Sequence, residues 1–208
     1  MDDMTRRSCR EFSELLASSA PTPGGGGAAA LTGALAAALG GMVVSLTAGK
    51  KQYQTHEEEL AKLGETCGDL RRRLLDLVQA DAEAFAPLAK AYGMAKDDPA
   101  RDDVLERTTL AACQPPMEIM TCCLGVIRAA SRLAEIGSRL ALSDAGCAAS
   151  LASAAMESAS LNVQINTRTL RDRQEAGRLD RRTEELLREG TELARQVFDR
   201  VTAEWKGT

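Results

Sequence analysis

The segment that most constrains the fold of this chain is residues 24–49, which carry no charged side chain and are mostly glycine, alanine and other small residues. The segment follows Pro21 and Pro23 and begins with four consecutive glycines. Proline and glycine favour turns, whereas the alanine and leucine residues that follow favour helix. The pattern predicts a glycine loop that leads into a small-residue helix, which another backbone or a ligand can approach closely.

Two interpretations of the glycine loop remain open at the level of sequence. The amino terminus of a helix exposes backbone N–H groups and favours anions, which indicates a ligand-binding loop. Alternatively, the glycines form a tight connector that lets two helices touch. The segment contains no G-x-x-x-x-G-K-[ST] motif, and no predicted strand precedes it, so neither a P-loop nor a dinucleotide-binding turn is indicated.

The length of this uncharged run also raises the possibility of a membrane-spanning helix or a membrane-associated hairpin. Glycine and alanine give it only a modest transfer energy into lipid, and aromatic residues do not flank it as interfacial belts. A helix that is apolar all round is equally typical of the buried centre of a helical bundle. We therefore expect no membrane partner.

The remainder of the chain predicts an all-α fold. Aromatic residues make up only 3% of its 208 residues, and alanine supplies much of the apolar fraction. Apolar residues recur at intervals of three, four and seven in residues 53–92 and 172–205, as in amphipathic helices. We expect one domain over residues 1–208, a bundle of long antiparallel helices with the small-residue helices in the core or at a dimer interface.

Charge and cysteine content restrict the partners and the compartment. The net charge of −4 gives no basic surplus for nucleic acid. Six cysteines are scattered through the helical patterns, and no signal peptide is recognised, so we expect reduced thiols and a cytoplasmic location. The single histidine, His56, makes a metal site improbable, and none is predicted.

Asp81 is the candidate for acid–base chemistry. Phe85 follows it by four residues and belongs to the apolar stripe, so the carboxylate lies beside or within the core-facing side of the helix. A carboxylate there needs a partner or a function, and burial raises its pKa. The alternative is a surface acid at the edge of the stripe. Glu83 is expected to be solvated.

Other polar residues stand out by their spacing or position. Asn162 and Asn166 share one helix face, either to bind a ligand or to clamp two helices together. Ser143 is predicted to cap a helix, with Asp144 favourably placed near the helix dipole. The remaining candidates for ligand binding are Lys50, Lys51 and Tyr53. Alternatively, the two lysines stabilise a helix end and the tyrosine fills the core.

Five motifs in order carry a resemblance to a known family. They are P-T-P-G-G-G-G-A-A-A, S-L-T-A-G-K-K-Q-Y, D-A-E-A-F, S-D-A-G and L-N-V-Q-I-N. From about residue 10 to residue 205 the chain resembles the cyclodeaminase/cyclohydrolase family. Its members are the C-terminal domain of formiminotransferase-cyclodeaminase and the stand-alone methenyltetrahydrofolate cyclohydrolases.

The resemblance implies a fold, a substrate and site residues. Family members are dimeric helical bundles with a folate site near the interface, and they need no cofactor beyond the tetrahydrofolate substrate. Asp81 matches the proposed acid/base carboxylate. The substrate-binding residues implied or expected are Pro23, Gly24, Gly25, Gly26, Gly27, Lys50, Lys51, Tyr53, Ser143, Asp144, Asn162 and Asn166. One departure is Ala86, where many members have asparagine.

Three functions are therefore weighed. The favoured one is a methenyltetrahydrofolate cyclohydrolase, because no formiminotransferase domains accompany these residues. The alternatives are a formiminotetrahydrofolate cyclodeaminase and a non-catalytic helical dimerisation or folate-binding module. In the two enzymes, Lys50 and Lys51 are expected to meet the glutamate carboxylates of folate. The glycine loop is expected to bind substrate without taking part in proton transfer.

Overall fold

The structure, a computed structural model, describes residues 3–206, and all of the regular structure in that range is helical. The seven α-helices are α1 (Cys9–Leu16), α2 (Gly25–Ser45), α3 (Glu57–Tyr92), α4 (Arg101–Ala112), α5 (Gln114–Ile136), α6 (Leu142–Thr167) and α7 (Arg173–Lys206). Three short 3-10 helices cover Met4–Arg6, Lys51–His56 and Arg139–Ala141. The all-α prediction is confirmed.

Helix α2 packs against α3, α5 and α6, and glycines spaced by seven residues allow this close approach. A Cβ atom at Gly33 would lie 2.9 Å from the sulfur of Cys123 on α5, and one at Gly40 would lie 2.8 Å from the sulfur of Cys67 on α3. Both separations are shorter than real Cβ contacts. Any larger residue would therefore push the neighbouring helices away from α2.

Helix α6 is the second small-residue helix, and it runs antiparallel to α2. Near its start, the backbone N–H of Ser138 donates a 2.8 Å hydrogen bond to the hydroxyl of Thr47, just beyond the end of α2. Near its end, Asn162 lies beside Gly25 at the beginning of α2. The buried face of α6 is largely alanine, which allows the two small-residue helices to pack closely against each other.

The apolar core surrounds α5 and is closed by α3 and α7. Ile119, Met120 and Ile127 of α5 are fully buried. On α7, the predicted stripe faces this core, with Leu186 and Val197 almost completely buried. Charged residues of α7 point outward, as expected for an amphipathic helix. The recurrence of apolar residues in the sequence therefore predicted α3 and α7 correctly.

Local residue preferences account for the limits of several helices. The first α-helix covers only Cys9–Leu16, because Ser8 caps it through a capping box with Glu11. Gln114-Pro115-Pro116 does not break the chain but opens α5, since proline lacks only an N–H that the first helical turn leaves unpaired anyway. Pro87 likewise lies inside the continuous helix α3.

The predicted capping role of Ser143 is wrong. The 3-10 turn Arg139–Ala141 continues directly into α6, which begins at Leu142, so Ser143 already lies within the first helical turn. The residue at the cap position is Ala141, which makes no side-chain cap hydrogen bond. Asp144 does lie in the first turn, where its charge is favourable to the helix dipole.

By length and hydropathy alone, two helical segments are long and apolar enough to cross a membrane, namely Gly25–Ser45 and Arg101–Ile136. The most apolar window of Gly25–Ser45 is 56% buried inside the molecule, and that of Arg101–Ile136 is 61% buried. Core helices of soluble proteins meet the same criterion, so this finding is weak evidence for a membrane location.

Candidate active site

A cavity of about 170 Å³ lies where the first turn of α2 meets α3, the end of α4 and the carboxyl-terminal part of α6. It brings together residues that are far apart in the sequence. Its lining residues are Pro21, Thr22, Gly24, Gly25, Gly26, Asp81, Phe85, Ala112, Asn162 and Asn166. Asp81, both asparagines and the glycine segment, predicted separately from sequence, therefore share one site.

The sequence predicts a glycine loop that leads into a helix, whereas in the structure most of the glycine segment already forms the first turn of that helix. Helix α2 begins at Gly25, and Gly24 is its cap residue. The glycines are needed for space: a Cβ at Gly26 would lie 2.5 Å from Cγ of Asp81 and 2.6 Å from its Oδ2. A Cβ at Gly25 would lie 3.3 Å from Nδ2 of Asn162. The amino-terminal turn of α2 thus lies between the side chains of Asp81 on α3 and Asn162 on α6.

Two opposing effects act on the pKa of the Asp81 carboxylate. It is largely withdrawn from water, and this desolvation raises its pKa above the ordinary value for aspartate. The backbone N–H of Gly27 donates a hydrogen bond to the carboxylate and lowers the pKa, but by less than burial raises it. Asp81 is therefore a better proton acceptor than an exposed aspartate, and it remains directly connected to the amino terminus of α2.

The contact with Gly27 changes the interpretation of the glycine segment. An anion does lie at the amino terminus of α2, but it is the Asp81 side chain of the same chain. The segment was expected to bind substrate without influencing proton transfer. The backbone N–H of Gly27 also lowers the pKa of the candidate acid/base group, so the segment lies against that group without itself supplying a proton donor or acceptor side chain.

The surroundings of Asp81 on α3 distinguish it from its neighbours. Phe85, one turn later, is half-buried and forms an apolar wall of the cavity. Glu83 is exposed and accepts a 3.0 Å hydrogen bond from the side-chain amide of Gln79. Ala86 is half-buried outside the lining of the cavity. Within this part of α3, only Asp81 presents a carboxylate to the cavity.

The amides of Asn162 and Asn166 each use their nitrogen for a structural contact. Nδ2 of Asn162 donates to the carbonyl oxygen of Ser158 at 2.9 Å, and Nδ2 of Asn166 donates to the carbonyl of Ala112 at 3.3 Å. Asn166 therefore clamps α6 to the end of α4. Among the described residues, neither side-chain oxygen accepts a hydrogen bond, so both remain available to N–H donors of a ligand in the cavity.

Comparison with known proteins identifies the family. The family model described as formiminotransferase-cyclodeaminase matches residues 8–185. The chain belongs to the formiminotransferase-cyclodeaminase family.

The relatives within the family are named for two activities, that of a cyclohydrolase and that of a cyclodeaminase. The chain is 40% identical to a methenyltetrahydrofolate cyclohydrolase of Methylorubrum extorquens, over 91% of this chain and 93% of the relative. It is 29% identical to the formimidoyltransferase-cyclodeaminase of Sus scrofa, over 96% of this chain but only 38% of the longer relative. The crystal structure of a formiminotetrahydrofolate cyclodeaminase from Thermotoga maritima has a TM-score of 0.83, 30% identity and 98% coverage of both chains.

Five predicted site residues of this family member lie elsewhere in the protomer. Lys50, Lys51, Tyr53, Ser143 and Asp144 lie beyond the end of α2 or in the first turn of α6. Helix α2 has 21 residues, so it separates this end from the Asp81 cavity by about 30 Å. The fold of one chain therefore does not bring these five residues together with Asp81.

The surroundings of Tyr53 and of the lysines also differ from those of Asp81. Tyr53 lines a separate cavity of about 440 Å³, and a hydrogen bond from Ser138 lowers the pKa of its hydroxyl. Lys50 and Lys51 are exposed beside a further cavity of about 340 Å³. Within residues 3–206, neither lysine forms an ion pair. Ser143 is exposed and Asp144 is half-buried.

Some residues of the Asp81 cavity were not predicted as site residues. Pro21, Thr22 and Ala112 line the cavity. Pro21 and Thr22 belong to the first of the five motifs, whereas nothing in the residue type of Ala112 distinguishes it in the sequence. The contact of Gly26 with Asp81 did leave a signal, because Gly26 begins the series of glycines at intervals of seven that continues with Gly33 and Gly40. Such spacing indicates close packing of neighbouring helices along one face of α2.

Proposed function

We propose that this family member is a methenyltetrahydrofolate cyclohydrolase, which adds water to 5,10-methenyltetrahydrofolate and forms 10-formyltetrahydrofolate. The observation that carries the proposal is Asp81, a largely buried carboxylate of raised pKa in a cavity with two amide side chains. The choice within the family rests on the 40% identity, over nearly the full length of both chains, to a protein of that name. Relatives named as cyclodeaminases are 29–30% identical.

In the proposed reaction, the Asp81 carboxylate acts first as a general base. A water molecule forms a C–O bond with the cationic methenyl carbon, and one of its protons passes to Asp81. The resulting tetrahedral carbon is bonded to N5, N10, hydrogen and hydroxyl. The C–N5 bond then breaks as Asp81 returns its proton to N5. The hydroxyl proton passes to solvent water, and the formyl group remains on N10.

The negative charge of Asp81 also favours binding of the methenyl compound itself. The substrate carries a delocalised positive charge across N5, the methenyl carbon and N10, and a nearby carboxylate stabilises such a charge in a site with little water. We propose that the side-chain oxygens of Asn162 and Asn166 accept hydrogen bonds from N–H groups of the pterin ring. Phe85 supplies an apolar surface for the ring system.

The proposed chemistry uses general acid–base catalysis by one carboxylate, so we assign tetrahydrofolate derivatives as substrate and product and no further cofactor. We also propose a cytoplasmic location. The six cysteines are free thiols, and four of them are buried, which suits a reducing compartment.

We further propose that the protein is a homodimer that associates through the outward faces of α2 and α6. These faces expose large apolar side chains: Leu35 is 56% exposed on α2, and Leu161 and Ile165 are 66% and 59% exposed on α6. Residues 24–49 carry no charge, and Glu157 is the only charged residue between Asp144 and Arg168. Exposed large apolar side chains on helices with so few charges are typical of a protein–protein interface.

The experiment that tests the function follows ultraviolet absorbance with purified protein and two substrates. With methenyltetrahydrofolate, we expect loss of its absorbance well above the spontaneous rate. With formiminotetrahydrofolate, we expect neither methenyltetrahydrofolate nor ammonia to appear. Ammonia release with the second substrate, without turnover of the first, would establish the cyclodeaminase instead. Folate binding without either reaction would establish the non-catalytic module.

A further inference from the structure

The Asp81 cavity is smaller than a site that encloses a small organic ligand. Its volume is about 170 Å³, whereas pockets for such ligands are usually about 300–1,000 Å³. Entry of a ligand with several fused rings therefore requires one wall of the cavity to move. Its walls are the first turn of α2, parts of α3 and α6, and the end of α4, where Ala112 lines the cavity.

Helix α4 is the wall that is least firmly anchored in the core. Its buried residues are small or polar, namely Thr108, Thr109 and Ala112. Its larger apolar side chains are only half-buried, namely Val104, Leu105 and Leu110. The next helix, α5, is different, because Ile119 and Met120 are fully buried. A segment with few buried apolar side chains opens at a lower free-energy cost than the core.

A hinge lies where α4 meets α5. Helix α4 ends at Ala112 and α5 begins at Gln114, so a single residue, Cys113, separates them. Because proline has no N–H, Pro116 cannot donate a hydrogen bond to the carbonyl of Ala112, four residues earlier. That carbonyl instead accepts a 3.3 Å hydrogen bond from Nδ2 of Asn166, a side chain of the cavity. The backbone hydrogen bonding is thus interrupted at the edge of the cavity, where a helix bends most easily.

The middle of α4 is fastened by Glu106 to the turn between α6 and α7. The carboxylate of Glu106 accepts hydrogen bonds from the backbone N–H groups of Arg171 at 2.7 Å and Asp172 at 2.9 Å. Its side chain is only 23% exposed, so water competes little for these bonds. Arg171 also pairs with Asp103 at 2.6 Å, but both side chains are exposed, and such pairs contribute little.

We infer that α4 is a hinged lid over the Asp81 cavity, that it pivots at Cys113, and that Glu106 is the positioning residue that holds it closed. The closed lid withdraws Asp81 from water, and the open lid admits substrate and releases product. Asn166 connects the lid to the ligand, because its nitrogen holds the end of α4 while its oxygen is available to the ligand. The identity of that ligand rests on the proposed function, whereas the movement of α4 does not.

Hydrogen exchange of the ligand-free protein tests the lid. Glu106→Gln removes the charge and leaves one carbonyl oxygen to accept two N–H groups. We therefore expect the amides of residues 104–112 to exchange about 10-fold faster than in wild type. The amides of α5 should keep their wild-type rates, because α5 does not move.

Glu65→Gln is the matched control for this measurement. Glu65 is exposed on α3 and, within residues 3–206, takes part in neither a hydrogen bond nor an ion pair of its side chain. Its substitution should leave the exchange of α4 unchanged. Unchanged exchange of α4 in Glu106→Gln would overturn the inference. An equal increase in α4 and α5 would also overturn it, because Glu106 would then stabilise the whole fold and not the closed lid.

Binding kinetics connect the lid to the proposed substrate. Methenyltetrahydrofolate is mixed by stopped flow with Asp81→Asn protein, so that binding is followed without turnover. If binding waits for the lid to open, the observed rate reaches a plateau as the ligand concentration rises. A further Glu106→Gln substitution should raise this plateau about 10-fold.

Identical binding rates in the two proteins, rising linearly with ligand concentration, would overturn the inference. Failure of the proposed function is recognised separately, because wild-type protein would then neither bind nor convert methenyltetrahydrofolate. In that case the exchange rates of the ligand-free protein would still decide whether α4 is a lid.

Discussion

Gly26 lies so close to the carboxylate of Asp81 that a methyl group on Gly26 would occupy space held by the carboxylate atoms. The next residue, Gly27, donates its backbone N–H to the same carboxylate. The first turn of α2 therefore restricts the position of the proposed catalytic group and lowers its pKa, although by less than burial raises it. The absence of a side chain at Gly26 leaves the space that the proposed proton-transfer group, Asp81, occupies.

The first prediction concerns Gly26→Ala. The added methyl group must displace Asp81, so we expect kcat to fall about 100-fold or more, in line with the usual contribution of general acid–base catalysis. Loss of the Gly27 hydrogen bond raises the pKa of Asp81 further, so the acidic limb of the kcat–pH profile should move to higher pH. A full pH–rate profile measures both effects.

Gly68→Ala is the matched control for this prediction. Gly68 lies on α3, the helix that carries Asp81, and a Cβ there meets only the flexible end of Arg72 at 3.5 Å. We expect an unchanged kcat and an unchanged pH profile. A Gly26→Ala enzyme with the same profile as the Gly68→Ala enzyme would show that α2 does not control Asp81.

The second prediction is that Asp81→Asn stabilises the fold at neutral pH. Burial raises the pKa of Asp81 in the folded state above its unfolded value, so the ionised group destabilises the native protein at pH values above the folded pKa. Asparagine fills the same space without charge and still accepts the hydrogen bond from Gly27.

Thermal unfolding at several pH values measures this effect. The Tm of the Asp81→Asn protein should exceed that of wild type at pH 8. The difference should shrink as pH falls through the folded pKa of Asp81 towards pH 4, because wild type then becomes uncharged at this position too. A Tm of Asp81→Asn below that of wild type at pH 8 would contradict the assigned burial of the carboxylate.

The third prediction concerns the reactivity of the cysteines. Four of the six are buried: Cys67, Cys113, Cys122 and Cys123. Burial raises the pKa of Cys67, Cys113 and Cys122 to about 11, so little reactive thiolate forms at pH 8. We expect Ellman's reagent to modify at most two thiols rapidly in the native protein and all six in guanidinium chloride. Rapid modification of more than two native thiols would show that the core is more open than described.

The fourth prediction tests the proposed dimer. Leu35→Glu introduces a charge at the centre of the outward face of α2, and a two-fold interface buries two copies of it. Burial of an unpaired charge is costly, so the dimer dissociation constant should rise about 100-fold or more. Analytical ultracentrifugation over a concentration series measures this change. Phe198→Glu on α7, at a residue that is 45% exposed, should leave the dimer intact. Equal dissociation constants for wild type and Leu35→Glu would exclude this face as the interface.

Sequence periodicity was sufficient to predict the helical fold and the region of the site. The interval of four residues between Asp81 and Phe85 correctly indicated a carboxylate near the apolar side of α3, and the spacing of Asn162 and Asn166 correctly indicated one shared face. Both predictions rely on neighbours within one helix. Local spacing is enough for such relationships, because the helix geometry is the same everywhere.

Relationships between helices were harder to predict. The sequence does not reveal that the glycine segment is helical, because glycine favours a turn locally and the helix is stabilised by packing against α3 and α6. Nor does it reveal which motifs meet. Lys50 follows the glycine segment closely in sequence, but it lies at the opposite end of α2. Asn162 is distant in sequence, yet it lies beside Gly25 because α6 is antiparallel to α2.

The most direct test of the account compares Asp81→Asn with Glu83→Gln in the hydrolysis of methenyltetrahydrofolate under single-turnover conditions. Both substitutions replace a carboxylate of α3 by its amide, but Asp81 lines the cavity and Glu83 is exposed. We expect the Asp81→Asn rate to fall about 100- to 10,000-fold, the usual range for loss of a general acid–base group, and the Glu83→Gln rate to equal that of wild type. A wild-type rate for Asp81→Asn would contradict the assignment of Asp81 as the catalytic residue.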